Sequence, residues 1–273
     1  MRSEFEKRQL AVSRREFLAV LAIASGGTGL VPRPTASSAV APRDDPNVRV
    51  DATKIDNGAG GLASYLALPA APGQVASLIV AHDALGLTPH FEGVARRLAA
   101  EGFAALAPDF ASRYGGTPAE PGPAHEVVGM TTWDEWLGDT RAAFGWLTNQ
   151  PHSNGKVAAI GFGLGGSALG RIVFELTDLT SAVLYYGRAP PPENVRRIDT
   201  RLLLNYAADD PLVNPQVGAF KKALTEANID YRAFSYEGAK HGFEDDTAPG
   251  AYSPEAAELA WARTIEFLKR TTA

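Results

Sequence analysis

The chain has 273 residues, with 26 Lys or Arg, 31 Asp or Glu, 45% apolar residues and no cysteine. That length supports one α/β domain with a sizeable core, and its apolar runs exclude a disordered chain. Without cysteine there is no disulfide, Cys-ligated metal centre or thiol nucleophile, and a net charge of −5 gives no electrostatic reason to bind nucleic acid or an anionic membrane.

The charge is uneven along the chain. Residues 1–39 carry six basic and three acidic groups, so they net +3 and leave the remainder at −8. Ser13-Arg14-Arg15-Glu16-Phe17-Leu18 precedes an apolar run over 19–24 and the small residues Ser37-Ser38-Ala39. A basic region, a short apolar core and small residues form the pattern of a signal peptide. The adjacent arginines resemble the twin-arginine export signal of bacteria. Gly26-Gly27 breaks the apolar stretch well short of the ~20 residues needed to span a bilayer. The expected division is therefore a twin-arginine signal over 1–39 and a single domain over 40–273. This domain is expected in the periplasm or secreted, with no stable membrane span once the signal is cleaved, and membrane-anchored if it is not.

Residues 48–55 and 62–68 alternate in polarity and predict a pair of antiparallel edge strands. Apolar runs at 77–81 and 103–107 read as buried strands, and Phe91, Val94 and Leu98 between them repeat at helical spacing up to a stop at Gly102. Residues 111–130, rich in Gly and Pro, read as a long loop bordering a site. Thr132 and Glu135 have capping-box spacing and open a helix through Leu147. Strands follow at 157–160, 182–186, 202–206 and 231–236, with helices at 165–176, 215–227 and 254–269. Strands without alternation, separated by helices, predict a mostly parallel sheet covered on both faces.

Ligands of such a sheet bind at the carboxyl ends of its strands. There, Gly161-Phe162-Gly163-Leu164-Gly165 has the glycine spacing of a nucleophile elbow, with Gly163 at the nucleophile position. Asp209-Asp210-Pro211 follows one later strand and His241-Gly242-Phe243 another, giving the nucleophile–acid–histidine order of an α/β-hydrolase. Asp210 is favoured over Asp209 as the acid. No serine has G-x-S-x-G around it, and Ser167 reads as a helix-packing residue. His82 and Asp83 look like a metal pair, but no third ligand appears at metal spacing, so no metal site is expected. His90, His125 and His152 carry no pattern and are expected in exposed loops or at helix ends.

The segments Ala81-His82-Asp83-Ala84-Leu85-Gly86-Leu87, Arg97-Leu98-Ala99-Ala100-Glu101-Gly102-Phe103, Ala107-Pro108-Asp109-Phe110-Ala111-Ser112-Arg113, Tyr185-Tyr186-Gly187, Asp210-Pro211 and His241-Gly242-Phe243 resemble, in order, the dienelactone hydrolase family of α/β-hydrolases. The resemblance implies a single-domain α/β-hydrolase fold, a Cys-His-Asp lactone hydrolase that needs no metal or organic cofactor, and a small ester or lactone as partner. By position it implies His241 as general base, Asp210 as the residue orienting it, and the backbone N–H groups of Leu164 and Ala84 as the oxyanion hole. Asp83 stands where the family commonly has a glutamate, and Arg113 where it has a substrate-binding arginine. Two departures stand out. Gly163 replaces the cysteine, and Glu244-Asp245-Asp246 stands where a second arginine is expected.

Removing the side chain at 163 is expected to leave a polar void beside His241 that holds a water. His241 would then act as general base on that water. The alternative is an inactive periplasmic binding or scaffold protein. On the first reading, Gly163→Cys is expected to raise a weak hydrolytic rate at least ~10-fold without disturbing the fold.

Overall fold

A computed structural model describes residues 45–71 and 73–273; the signal-like segment 1–39 lies outside the described residues. Among the described residues, eight strands form one sheet: β1 (Val48–Ile55), β2 (Leu62–Pro69), β3 (Val75–Ala81), β4 (Ala104–Pro108), β5 (Ser153–Phe162), β6 (Ser181–Tyr185), β7 (Arg201–Asp209) and β8 (Tyr231–Lys240). Their spatial order is β1-β2-β4-β3-β5-β6-β7-β8. β1 pairs antiparallel with β2 and β2 antiparallel with β4, while every other pairing is parallel. The antiparallel pair predicted at the start of the domain is thus present, with β1 at the edge and β2 between β1 and β4.

Six α-helices accompany the sheet among the described residues: α1 (Pro89–Ala100), α2 (Pro121–Val128), α3 (Trp133–Thr148), α4 (Leu164–Ile172), α5 (Asn214–Glu226) and α6 (Pro254–Thr272). Side chains of α1 and α6 pack on one face; those of α3, α4 and α5 pack on the other. On β3, Leu78 and Val80 enter the first core while Ile79 and Ala81 enter the second. Both faces are covered by helices, which is why the central strands carry no polar alternation. The exposed strand β1 keeps Arg49, Asp51 and Lys54, charges that discourage edge-to-edge pairing.

Local signals account for the ends of the helices. Thr132 accepts from the Glu135 N–H, and the Glu135 side chain accepts in return from the Thr132 N–H, so the predicted capping box forms. At the end of α1, Gly102 has φ 97°, and Gly102 and Phe103 donate back to Ala99 and Leu98, closing the helix with a left-handed residue.

The stretch over 111–130 differs from the predicted loop. It contains a 3₁₀ turn at Ser112–Tyr114 and the helix α2, which starts on Pro121. Proline there costs nothing, because the first helical N–H has no intrahelical partner. Among the described residues, no helix is long and apolar enough to cross a membrane.

Candidate active site

Moving from β3 to β4 the chain winds one way along the sheet, and from β5 onward it winds the other. The crevice between the carboxyl ends of β3 and β5 is therefore the topological switch point, where open α/β sheets bind ligands. Asp83 follows β3 on one side of that crevice and Gly163 follows β5 on the other.

Gly163 forms the turn from β5 into α4 with φ 49° and ψ −106°, a conformation open to glycine without strain and costly for other residues. The turn is tight because α4 crosses directly over strand backbone: a Cβ on Gly165 would stand 2.6 Å from the Ala81 carbonyl carbon. Ser167 is used in holding it, with its hydroxyl donating to the Gly163 carbonyl and accepting from the Arg188 N–H, both at 2.8 Å.

The expected void beside this turn is not empty. A Cβ built on Gly163 would lie 2.5 Å from both Cγ and Oδ2 of Asp83, so the Asp83 carboxylate fills the space an elbow side chain would take. Its Oδ1 accepts from the Ala84 N–H at 2.6 Å and from the Leu164 N–H at 2.8 Å. These are the two main-chain donors assigned above to the oxyanion hole. The expectation of a water-filled hollow is corrected accordingly, and Gly163→Cys cannot be a silent insertion, because its side chain needs Asp83 to move. The carboxylate suits the position physically: Leu164 opens α4, and a helix N-terminus favours negative charge.

Buried neighbours set the Asp83 loop. His82 is fully buried against Phe91, Phe110 and Trp136. Its Nε2 accepts from the Phe110 N–H at 3.2 Å, so Nδ1 carries the proton and donates to the Asp83 carbonyl at 2.8 Å. Desolvation pulls the pKa of His82 below 6.5, which suits a neutral imidazole bridging two main-chain groups. Asp109 accepts from the N–H and the hydroxyl of Thr117, and that hydroxyl accepts from the Leu87 N–H, tying the loop to the 111–120 segment.

Across the site, His241 directly follows β8 and Asp210 directly follows β7. His241 Nδ1 donates to Asp210 Oδ2 at 2.7 Å, which leaves Nε2 as the basic nitrogen. Asp210 is 1% exposed at its side chain, and its Oδ1 accepts from the N–H groups of Leu212 and Val213. Asp209, by contrast, is exposed. Burial lowers the pKa of His241, but the hydrogen bond to Asp210 and the charges of Asp83, Asp210 and Glu244 outweigh it and hold the value above 6.5. Asp83 thus bears on both the elbow turn and the imidazole. These four loops share one end of the sheet.

Sequence reasoning singled out the residues behind His241 without giving them a role there. The ring of Tyr186 packs 4.6 Å from the imidazole, and its hydroxyl donates to Glu244. Glu244 also faces His90 Nε2 at 3.1 Å. His90 stands at the start of α1, a helix end as expected, but is only 4% exposed. The one available signal was the position of Tyr186 just past the carboxyl end of β6. The three carboxylates Glu244, Asp245 and Asp246 gather around His90, at 3.1, 3.2 and 3.9 Å. Ligand atoms of His90, Asp245 and Asp246 lie within 4.8 Å of one another, the spacing of a cation site that the sequence did not suggest. Desolvation opposes protonation of His90, yet the surrounding carboxylates raise its pKa above 6.5.

Arg113 is placed differently from its expected role. Its Nη2 donates to Asp139 at 2.6 Å, and Glu135 lies 3.8 Å from its Nε. The carboxylates of α3 thus occupy a guanidinium expected to bind substrate. A separate cleft lined by Arg49, Leu68, Val75 and His152 adjoins the starts of β3 and β5, at the opposite end of the sheet from Gly163.

Comparison with known proteins agrees with this architecture. Residues 62–272 match the Dienelactone hydrolase family. A carboxymethylenebutenolidase of Pseudomonas sp. (strain P51) is 32% identical over 223 residues, covering 78% of this chain and 92% of the relative. The carboxymethylenebutenolidase of Pseudomonas putida is 29% identical over 203 residues, covering 70% and 84%. The crystal structure of a dienelactone hydrolase-like promiscuous phosphotriesterase from metagenomic libraries superposes with a TM-score of 0.73 at 26% identity, covering 83% of this chain and all of that one. With a family match across most of its length and a sheet of the same design, the chain belongs to the dienelactone hydrolase family.

Proposed function

We propose that this protein hydrolyses a small, uncharged ester or lactone with a water molecule as the attacking group. The observation that carries the reading is the aligned His241–Asp210 pair, at the same end of the sheet as a turn that has no side chain at position 163. Asp210 fixes the tautomer, Nε2 of His241 takes a proton from the water, and the water oxygen adds to the substrate carbonyl. The developing oxyanion requires the Leu164 and Ala84 N–H groups, so the substrate carbonyl must displace Asp83 Oδ1 from them. General-base help is typically ~10²–10⁴-fold, and with the displacement set against it the turnover is slow. Asp83, Asp210 and Glu244 crowd the site with negative charge, and Arg113 is held by Asp139, so an anionic dienelactone is disfavoured.

The test is a panel of activated esters and lactones on wild type, His241→Ala and Asp83→Ala. The reading predicts no burst of acyl-enzyme, a fall of ~10²-fold or more in His241→Ala, and a gain in Asp83→Ala, which frees the N–H pair. Undiminished rates in His241→Ala contradict it.

A second reading, a ligand-binding protein without turnover, is favoured by one observation: Asp83 already satisfies both N–H donors. It predicts thermal stabilisation by ligand with no product formed. For location we propose export through the twin-arginine route, supported by Arg14-Arg15 and the short apolar run after them. Replacing both arginines by lysine is expected to leave the protein in the cytoplasm on cell fractionation; unchanged export contradicts it.

A further inference from the structure

We propose that Asp83 is itself a covalent nucleophile, and that the substrates it attacks are small uncharged molecules with an electrophilic sp³ carbon, such as alkyl halides and epoxides. Three observations converge on it. The Asp83 carboxylate fills the volume of the missing elbow side chain, with Oδ2 and Cγ 2.5 Å from the Cβ position of residue 163. Its Oδ1 is anchored by two main-chain N–H groups, Ala84 in its own loop after β3 and Leu164 at the start of α4. The aligned His241–Asp210 pair stands at the same end of the sheet, and the Asp83 charge acts to raise the His241 pKa.

The occupied N–H pair hinders attack on a carbonyl but not attack on saturated carbon, where no oxyanion forms on the substrate. Asp83 Oδ2 forms a bond to the carbon while the bond to the leaving group breaks, and the electron pair departs as halide, or as an alkoxide that takes a proton from solvent. Asp83 is then an alkyl ester whose carbonyl oxygen, Oδ1, already rests on the Leu164 and Ala84 N–H groups. Those donors stabilise the oxyanion that forms when water adds to Cγ. His241 removes the proton from that water and returns it to the departing alcohol, which leaves with Oδ2. The Asp83 carboxylate is regenerated with one oxygen from water, and one proton passes to solvent. A carboxylate nucleophile followed by base-assisted hydrolysis splits one hard displacement into two easier steps. The inference shares with the proposed ester hydrolysis the water-activating role of His241 and differs in the electrophile that the water meets.

The experiment incubates full-length wild type, His241→Ala and Asp83→Asn with 1-bromobutane and with styrene oxide, read by intact-protein mass and peptide mapping. A parallel single turnover of wild type runs in H₂¹⁸O. Losing a general base slows the second step by ~10²-fold or more, so His241→Ala is expected to accumulate an adduct mapped to Asp83. Wild type is expected to release alcohol and to carry ¹⁸O in its Asp83 peptide, and Asp83→Asn to give neither adduct nor alcohol. Adducts scattered over other side chains, or no ¹⁸O in the Asp83 peptide of wild type, overturn the proposal; the isotope arm decides even if a variant fails to fold. Ester turnover that persists alongside those negative results leaves the water mechanism standing. An Asp83 adduct with no ester turnover in any variant supports this inference and removes the ester reading.

Discussion

At residue 163 the backbone keeps the geometry of an elbow without the side chain that geometry exists to display. Holding φ at 49° would strain any other residue, and a methyl there would also overlap Asp83. Gly163→Ala is therefore expected to cost about 1–3 kcal/mol, read by denaturant unfolding. If Asp83→Ala recovers part of that loss, the overlap is its cause; purely additive costs assign it to backbone strain alone. The glycine was legible in the sequence, but the occupant of its space was not. Asp83 lies 80 positions away, and no local pattern states where its carboxylate turns.

The helix α4 shows how an element can be set by contacts that a sequence pattern only hints at. Gly165 lets its first turn rest on the main chain of β3, and Gly165→Ala is expected to destabilise by ~1–3 kcal/mol through overpacking. It should also weaken ester turnover, because the Leu164 N–H shifts with the turn; an unchanged melting temperature would show that the helix rides clear of β3. The strands β3 to β7 were legible from their apolar runs, which reflect burial on both faces, and α3 from its capping box. The helix α2 was not, since Pro121-Gly122-Pro123 reads as a breaker until Pro121 is seen at the first helical position. His90 escaped for a different reason. Its partner Glu244 is 154 residues away, and burial of a charged pair across that distance leaves no periodic trace.

Over the whole molecule, imidazoles of opposite character make stability depend on pH in two senses. His90 and His241 have pKa values raised above 6.5, so their contribution is fully present below the unfolded value and is lost as pH rises through the folded one. His82 is lowered, so folding is opposed as pH falls below 6.5, where the unfolded chain takes up a proton that the folded chain refuses. The stability difference between wild type and His90→Gln, measured by denaturant unfolding, is expected to be largest at mildly acid pH and to shrink as pH rises. A difference that does not vary with pH would show that Glu244 and Asp245 do not raise the His90 pKa.

The account depends above all on the Asp83 carboxylate filling the side-chain space of the elbow turn and acting by its charge on the imidazole of His241. An NMR titration of the His241 ring in wild type and in Asp83→Asn tests this without any substrate. The account predicts a midpoint above 6.5 in wild type and a lower one in Asp83→Asn, where the amide keeps the shape but removes the charge. The same midpoint in both proteins would place Asp83 away from the imidazole and contradict the account.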